Sequence, residues 1–203
     1  MNRRQGIAIA LVVISTLLAV GCGSTPARGP YTTQGSQARD VVKAEDHYQA
    51  ALAALAATPA DDKSAEALLR EALGYDLYHG AAHNNLGVLL LKQDRLYDAA
   101  EEFEWARKLL PGHPEPRVNL AIALERGGKH NEALDAARAA LEVRPGNLAA
   151  IKTIAVIQIR EAQINETTRG HLDAIVTRSN DPVWRAWAER QRLKLDAEGA
   201  AGR

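Results

Sequence analysis

The sequence predicts an all-α array of helical hairpins, and three observations lead there. Aromatic residues make up only 4% of the 203-residue chain while alanine is abundant, a composition that suits closely packed helices and undersupplies the β-branched and aromatic side chains that strands prefer. Apolar positions recur with a 34-residue period: Leu86, Leu90, Ala99, Phe103, Ala106 and Pro111 return as Leu120, Leu124, Ala133, Ala137, Ala140 and Pro145. A unit of that length cannot bury an apolar face alone, so neighbouring copies must stack. The 46% apolar and 25% charged fractions are those of a folded protein with a real core. Lys plus Arg number 25 and Asp plus Glu number 25. No sequence-wide basic field exists to condense on a phosphate backbone, and nucleic acid is excluded as the expected partner.

The segment ahead of the array reads as an address. Arg3 and Arg4 precede an uncharged stretch, Gly6 to Val20, that ends at Gly21-Cys22, the grammar of a secretory n-region and h-region. At about 1.5 Å per residue that stretch spans ~22 Å, short of the ~30 Å hydrocarbon core, which favours a removed signal over a permanent span. Leu18-Ala19-Val20-Gly21-Cys22 resembles the lipobox of bacterial lipoproteins. The resemblance implies a signal peptide over 1–21, removed ahead of an acylated Cys22, the only cysteine in the chain. Ala19 stands where those families usually place Leu, and Ala19 with Gly21 also meets the small-x-small rule of ordinary cleavage, so secretion without lipid is the alternative. Gly23 after the cysteine implies, by the same resemblance, the outer membrane facing the periplasm. The 22–39 segment is rich in Gly, Ser, Thr and Pro without apolar period and reads as a flexible tether of ~20–24 Å root-mean-square reach.

The remaining elements follow in chain order. Helices predicted at 40–57 and 62–73 form a first unit, with Leu52, Ala53, Ala56, Ala65, Leu69 and Ala72 in the repeating slots. Helices at 80–92 and 96–109 form the second. Gly87 and Ala99 are small where paired helices cross closely, Leu86 and Phe103 fill the space between units, and Gln93-Asp94 make the turn. Pro111 ends the second helix by moving the residue before it out of the α region, and Gly112 is expected to allow the turn. Helices at 114–126 and 130–143 repeat this with Ala121, Ala133 and Ala137, a turn at Gly127-Gly128 and an end at Pro145-Gly146. Helices at 148–160 and 164–178 form a degraded fourth unit with Ile154, Ala155, Gln158, Thr167, His171 and Ala174 in the slots. Asn180-Asp181-Pro182 supplies an N-cap and first-turn proline for a ninth helix, whose Trp184 and Trp187 are expected to cover the last unit. The array therefore spans 40–179, with repeats near 46–79, 80–113, 114–147 and 148–179, and 180–203 is a capping helix and tail.

The spacing Leu86-Gly87-x2-Leu90, Ala99-x3-Phe103, Ala106, Pro111 and its copy 34 residues on resemble the tetratricopeptide repeat. The resemblance covers roughly Asp46 to Ser179. It implies a right-handed superhelical solenoid of about four helix-turn-helix repeats plus a C-terminal capping helix, with the first helices lining a concave groove and their sixth repeat position pointing into it. Asn85 and Asn119 hold that position and resemble the asparagine ladder of sugar-transferring tetratricopeptide proteins, which holds extended peptides; Ala51 and Thr153 replace them in the outer repeats. Asn84, Val88, Leu91, Lys92, Ile122 and Arg126, with Glu115, fall on groove-facing positions by the same resemblance. An amide both donates and accepts, so it can grip a peptide backbone whatever its side chains. Local solvation of the helix face is the alternative role for the asparagines. The cations of a carboxylate clamp would fall on Ala50 and Glu115, so a bare C-terminal carboxylate is not the expected ligand.

No residue is assigned to catalysis, a cofactor or a metal. His79 and His83 have i, i+4 spacing, but His79 falls in a turn and no third ligand is near in sequence. Glu101, Glu102 and Glu104 read as a solvated outer face. His130 reads as packing. No G-x-S-x-G, H-E-x-x-H or P-loop occurs. The expected function is a non-catalytic, membrane-anchored scaffold that binds a protein or extended peptide segment of an envelope partner, similar to repeat lipoproteins that help assemble pili or secretion machines. The alternatives are an adaptor that recruits periplasmic peptidases or cell-wall enzymes, and a structural solenoid that self-associates with Trp105 as a candidate contact.

Overall fold

The computed structural model describes residues 39–201; the expected signal peptide, Cys22 and nearly all of the expected tether lie outside the described residues. Among the described residues every regular element is an α-helix: α1 (Val41–Ala56), α2 (Asp62–Tyr75), α3 (Gly80–Lys92), α4 (Leu96–Leu109), α5 (Glu115–Arg126), α6 (His130–Val143), α7 (Leu148–Arg160), α8 (Glu166–Arg178) and α9 (Pro182–Ala201). Consecutive helices pack as hairpins, each hairpin packs on the next, and α9 packs on α8. The result is an all-α solenoid of helical hairpins closed by a terminal helix. No described helix is long and apolar enough to cross a membrane.

Local chemistry explains where the helices begin. Asp40, Asp61, His79, Asn147 and Asn165 each use a side-chain acceptor to hold a backbone N–H of the first turn that has no helical partner. Thr168 returns the bond to Asn165, which completes a capping box. α4 and α6 start at Arg95 and Lys129 without a side-chain cap. Both emerge directly from a tight turn that satisfies the preceding helix instead. In that turn Asp94, Gly128 and Ala162, spaced 34 residues apart, take φ of 62°, 76° and 52°. The N–H groups of Arg95, Lys129 and Gln163 then return to the carbonyls of Leu90, Leu124 and Gln158, each at 2.9 Å, the six-to-one bond of a left-handed helix C-cap.

The turns between repeats work differently from the expectation. Gly112 and Gly146 are not among the left-handed residues. His79, His113 and Asn147 donate their N–H to the carbonyls of Asp76, Leu110 and Arg144 at 3.2, 3.1 and 2.9 Å. These are i to i+3 turns whose central pair is Leu77-Tyr78, Pro111-Gly112 or Pro145-Gly146. Proline suits the first central position because its φ is already set, and no residue needs a positive φ. Leu77-Tyr78 makes the same turn with neither proline nor glycine.

The core confirms the repeating slots in α2 and in the second and third units and corrects them in α1 and α8. On α1 the buried residues are Ala44 and Ala51, while Leu52 is half-buried and Ala53 and Ala56 are exposed. Ala65, Leu69, Ala72, Leu86, Ala99, Phe103, Ala121, Ala133 and Ala137 are all fully buried. Gly87 is small for a specific reason: a Cβ there would lie 2.6 Å from Phe103 Cε1. In the next repeat that pair becomes Ala121 and Ala137, a volume exchange between facing positions. In α8 the residues turned inward are Thr168, Leu172 and Ile175, not Thr167, His171 and Ala174. They follow Ala133, Ala137 and Ala140 by 35 residues, because the α7–α8 connection over 161–165 carries one extra residue of register. The fourth unit is thus regular inside. Its apolar face, Ile151, Ala155, Leu172 and Ile175, is covered by α9 through Ala188, Leu195 and the half-buried Trp184 and Trp187, whose rings meet edge to face with centroids 5.4 Å apart.

Candidate functional site

The first helices of the hairpins bring Asn85, Asn119 and Thr153 to equivalent half-buried places at 34-residue intervals, whereas Ala51, 34 residues before Asn85, faces the core. Ala51 is fully buried, and Tyr48, one turn earlier on α1, supplies the polar group at that end. Asn119 Nδ2 donates to Asn84 Oδ1 at 3.0 Å, Asn84 Nδ2 approaches Asn85 Oδ1 at 3.4 Å, and Asn85 Nδ2 donates to the Tyr48 hydroxyl at 3.2 Å. The two predicted asparagines are therefore linked, through Asn84, in one side-chain chain across three repeats. Burial pushes the Tyr48 phenol pKa up, partly opposed by the Asn85 bond, so the hydroxyl keeps its proton and has it to donate. Among the described residues Asn119 Oδ1 accepts no hydrogen bond. Both ends of the chain can thus meet a ligand, one as donor and one as acceptor. A cavity of about 300 Å³ opens beside it, lined by Tyr48, Asn84, Asn85, His113, Glu115 and Pro116 among others.

The other predicted residues divide by role. Val88 and Leu91 are half-buried against the central core. Lys92 Nζ lies 3.4 Å from Asp62 Oδ1. Arg126 donates to the Leu91 carbonyl at 2.9 Å and to Asp94 Oδ1 at 2.7 Å. Arg160, 34 residues on, pairs with Glu125. Each of these cations ends a first helix and reaches back to the preceding repeat, so Lys92 and Arg126 tie repeats together at the groove's edge. Ile122 belongs to a second opening of about 440 Å³ whose walls include Glu125, Ala149, Lys152, Val156 and Trp184. Ala149, Thr153 and Val156 follow Glu115, Asn119 and Ile122 by 34 residues, so the register could have placed them there. Trp184 comes from α9, outside the repeat, and no periodicity points to it.

The histidines and carboxylates occupy structural places. His79 accepts the Ala82 N–H through Nδ1, and its Nε2 lies 3.1 Å from Glu45. His83 is fully buried, with Nδ1 2.6 Å from Glu102 Oε2 and Nε2 2.9 Å from the Leu77 carbonyl. Glu102 is therefore not part of the solvated outer face; it is 3% exposed, turned inward to join α4 to α3 through this imidazole. Trp105 stacks on His83 with centroids 5.6 Å apart, so one of its faces serves the hairpin itself. Among the described residues no three His, Cys, Asp or Glu side chains gather as a metal site would require.

No protein-family model matches the sequence, and no curated protein is significantly similar to it. Solved structures do share the fold. The structure of pilF from Pseudomonas aeruginosa aligns over 79% of this chain and 72% of its own at 20% identity, with a TM-score of 0.66. YrrB, described as a TPR protein with an unusual peptide-binding site, aligns over 72% of this chain and 74% of its own at 22% identity and a TM-score of 0.61. The first TPR of Spaghetti (RPAP3), bound to the HSP90 peptide SRMEEVD, covers 61% of this chain and 96% of its own at 17% identity and a TM-score of 0.57. With the helix pairing above, these likenesses make the chain an all-α tetratricopeptide-repeat solenoid.

Proposed function

We propose that the chain is a non-catalytic scaffold, lipid-anchored at Cys22, that holds an extended segment of an envelope partner protein along the groove of its first helices and serves pilus or secretion-system assembly at the outer membrane. The observation that carries the binding part is the side-chain chain from Asn119 through Asn84 and Asn85 to Tyr48, with a cavity bordered by Tyr48, Asn84 and Asn85. Half-buried amides held in line by one another are preorganised, so a peptide backbone meets them without first ordering them. Two structural neighbours support the reading by analogy, one with a peptide bound and one described by its peptide-binding site. The pathway rests on the likeness in fold to pilF together with the stretch over 18–22 that resembles a lipobox, and fold likeness is analogy.

The test is crosslinked recovery of the full acylated chain from its native membrane, with and without Asn85→Ala and Asn119→Ala together. Each lost hydrogen bond is worth about 0.5–1.5 kcal/mol, so the pair should weaken recovery of a specific partner by roughly tenfold. Equal recovery by both chains would place the partner elsewhere on the solenoid. Recovery of peptidases or cell-wall enzymes in place of pilus or secretion components would replace the pathway and leave the groove in force.

A further inference from the structure

The second opening differs in chemistry from the asparagine chain beside it. Ile122, Ala149, Val156 and the Trp184 ring give it an apolar wall. The Thr153 hydroxyl, which also borders it, donates to the Ala149 carbonyl at 3.0 Å. Glu125 is already paired with Arg160. Lys152 is different: its Nζ stands 4.9 Å from the Trp184 ring centroid, and it makes no ion pair among the described residues. The opening thus combines an apolar floor with one positive charge that no carboxylate pairs among the described residues.

Resting on the groove-binding reading above, we infer that this opening is the specificity pocket of the groove, taking a large apolar side chain of the bound segment with an aspartate or glutamate next to it. The apolar side chain is removed from water against Ile122, Val156 and Trp184, and the neighbouring carboxylate meets the Lys152 ammonium where the cation already lies over an aromatic face. Charge selects the occupant. The chain's own residues 23–38 carry Arg28 and no acidic residue, so its own N-terminal segment has the wrong sign for the pocket. Because Trp184 belongs to α9, the terminal helix both covers the last repeat and shapes the pocket.

A phage-displayed library of random nonapeptides, panned on the full chain in detergent micelles, tests this. Enriched sequences are expected to carry a large apolar residue beside Asp or Glu. Val156→Glu should weaken a fluorescein-labelled enriched peptide by roughly ten- to a hundredfold, and Lys152→Glu should exchange the acidic preference for Lys or Arg, with helical circular dichroism unchanged in both. Absence of enrichment, enrichment without that pair, or equal binding by both variants would overturn the pocket. If Asn119→Ala still weakened such peptides, the groove would stand and only the pocket would fall; if it did not, both would fall. A dimer in light scattering that Val156→Glu dissociates would make a second copy the occupant and overturn the proposal.

Discussion

At Ala162 the backbone takes the left-handed conformation that Gly128 takes in the preceding repeat, and the two residues differ in what this costs. A left-handed L-residue is disfavoured by roughly 1–2 kcal/mol, whereas glycine has no Cβ to collide with the following carbonyl. Ala162→Gly is therefore expected to stabilise the fold by about 1 kcal/mol and Gly128→Ala to destabilise it by a similar amount, measured by urea unfolding. At Asp76, burial alone would push the carboxyl pKa up. The bidentate Arg39 guanidinium, at 2.7 and 2.9 Å, and the Tyr78 N–H overbalance burial and hold it below the ordinary carboxylate range. A folded value below the unfolded one contributes stability above the unfolded pKa, and that contribution is lost as pH falls through the folded value. Urea midpoints should fall on acidification below about pH 4, and less steeply in Asp76→Asn; identical slopes would remove Asp76 from the acid response.

The pairing of elements depends on facing volumes. With its added Cβ 2.6 Å from the Phe103 ring, Gly87→Ala overpacks the α3–α4 contact and should cost about 1–3 kcal/mol. Phe103→Leu in the same chain should recover part of it, because the third repeat accepts an alanine opposite a smaller residue. The sequence showed most of this, since helix periodicity, glycine and proline placement, and the 34-residue register located the hairpins to within about two residues at each end. What escaped it has identifiable causes. One extra residue in the α7–α8 connection shifted the inward face of α8, and a strict period therefore pointed to Thr167, His171 and Ala174 in place of their neighbours. Glu102 was hidden because a carboxylate on a second helix is ordinarily solvated, and only the fold brings His83 opposite it. Asn85 and Asn119 were legible by position, whereas their connection through Asn84 to Tyr48 and the Trp184 wall depend on how successive helices stack.

Across the whole molecule, bonds between repeats run along one edge of the groove, where Lys92, Arg126 and Arg160 each reach the preceding repeat. Their individual contributions are small because they lie at the surface; the apolar faces supply the larger share. Removing 180–203 would expose Ile151, Ala155, Leu172 and Ile175, and the truncated chain should melt at lower temperature or aggregate. Cys22→Ala should abolish incorporation of labelled palmitate and release the protein from the membrane fraction; continued labelling would contradict lipidation at Cys22. The central claim is that the partner lies along the first helices. A photocrosslinking amino acid placed in turn at Thr153, on the first-helix side, and at Glu101, an exposed residue of α4, tests it in intact cells. The account predicts that irradiation joins one specific protein to position 153 and not to position 101. Crosslinking at 101 alone, or equally at both, would contradict it.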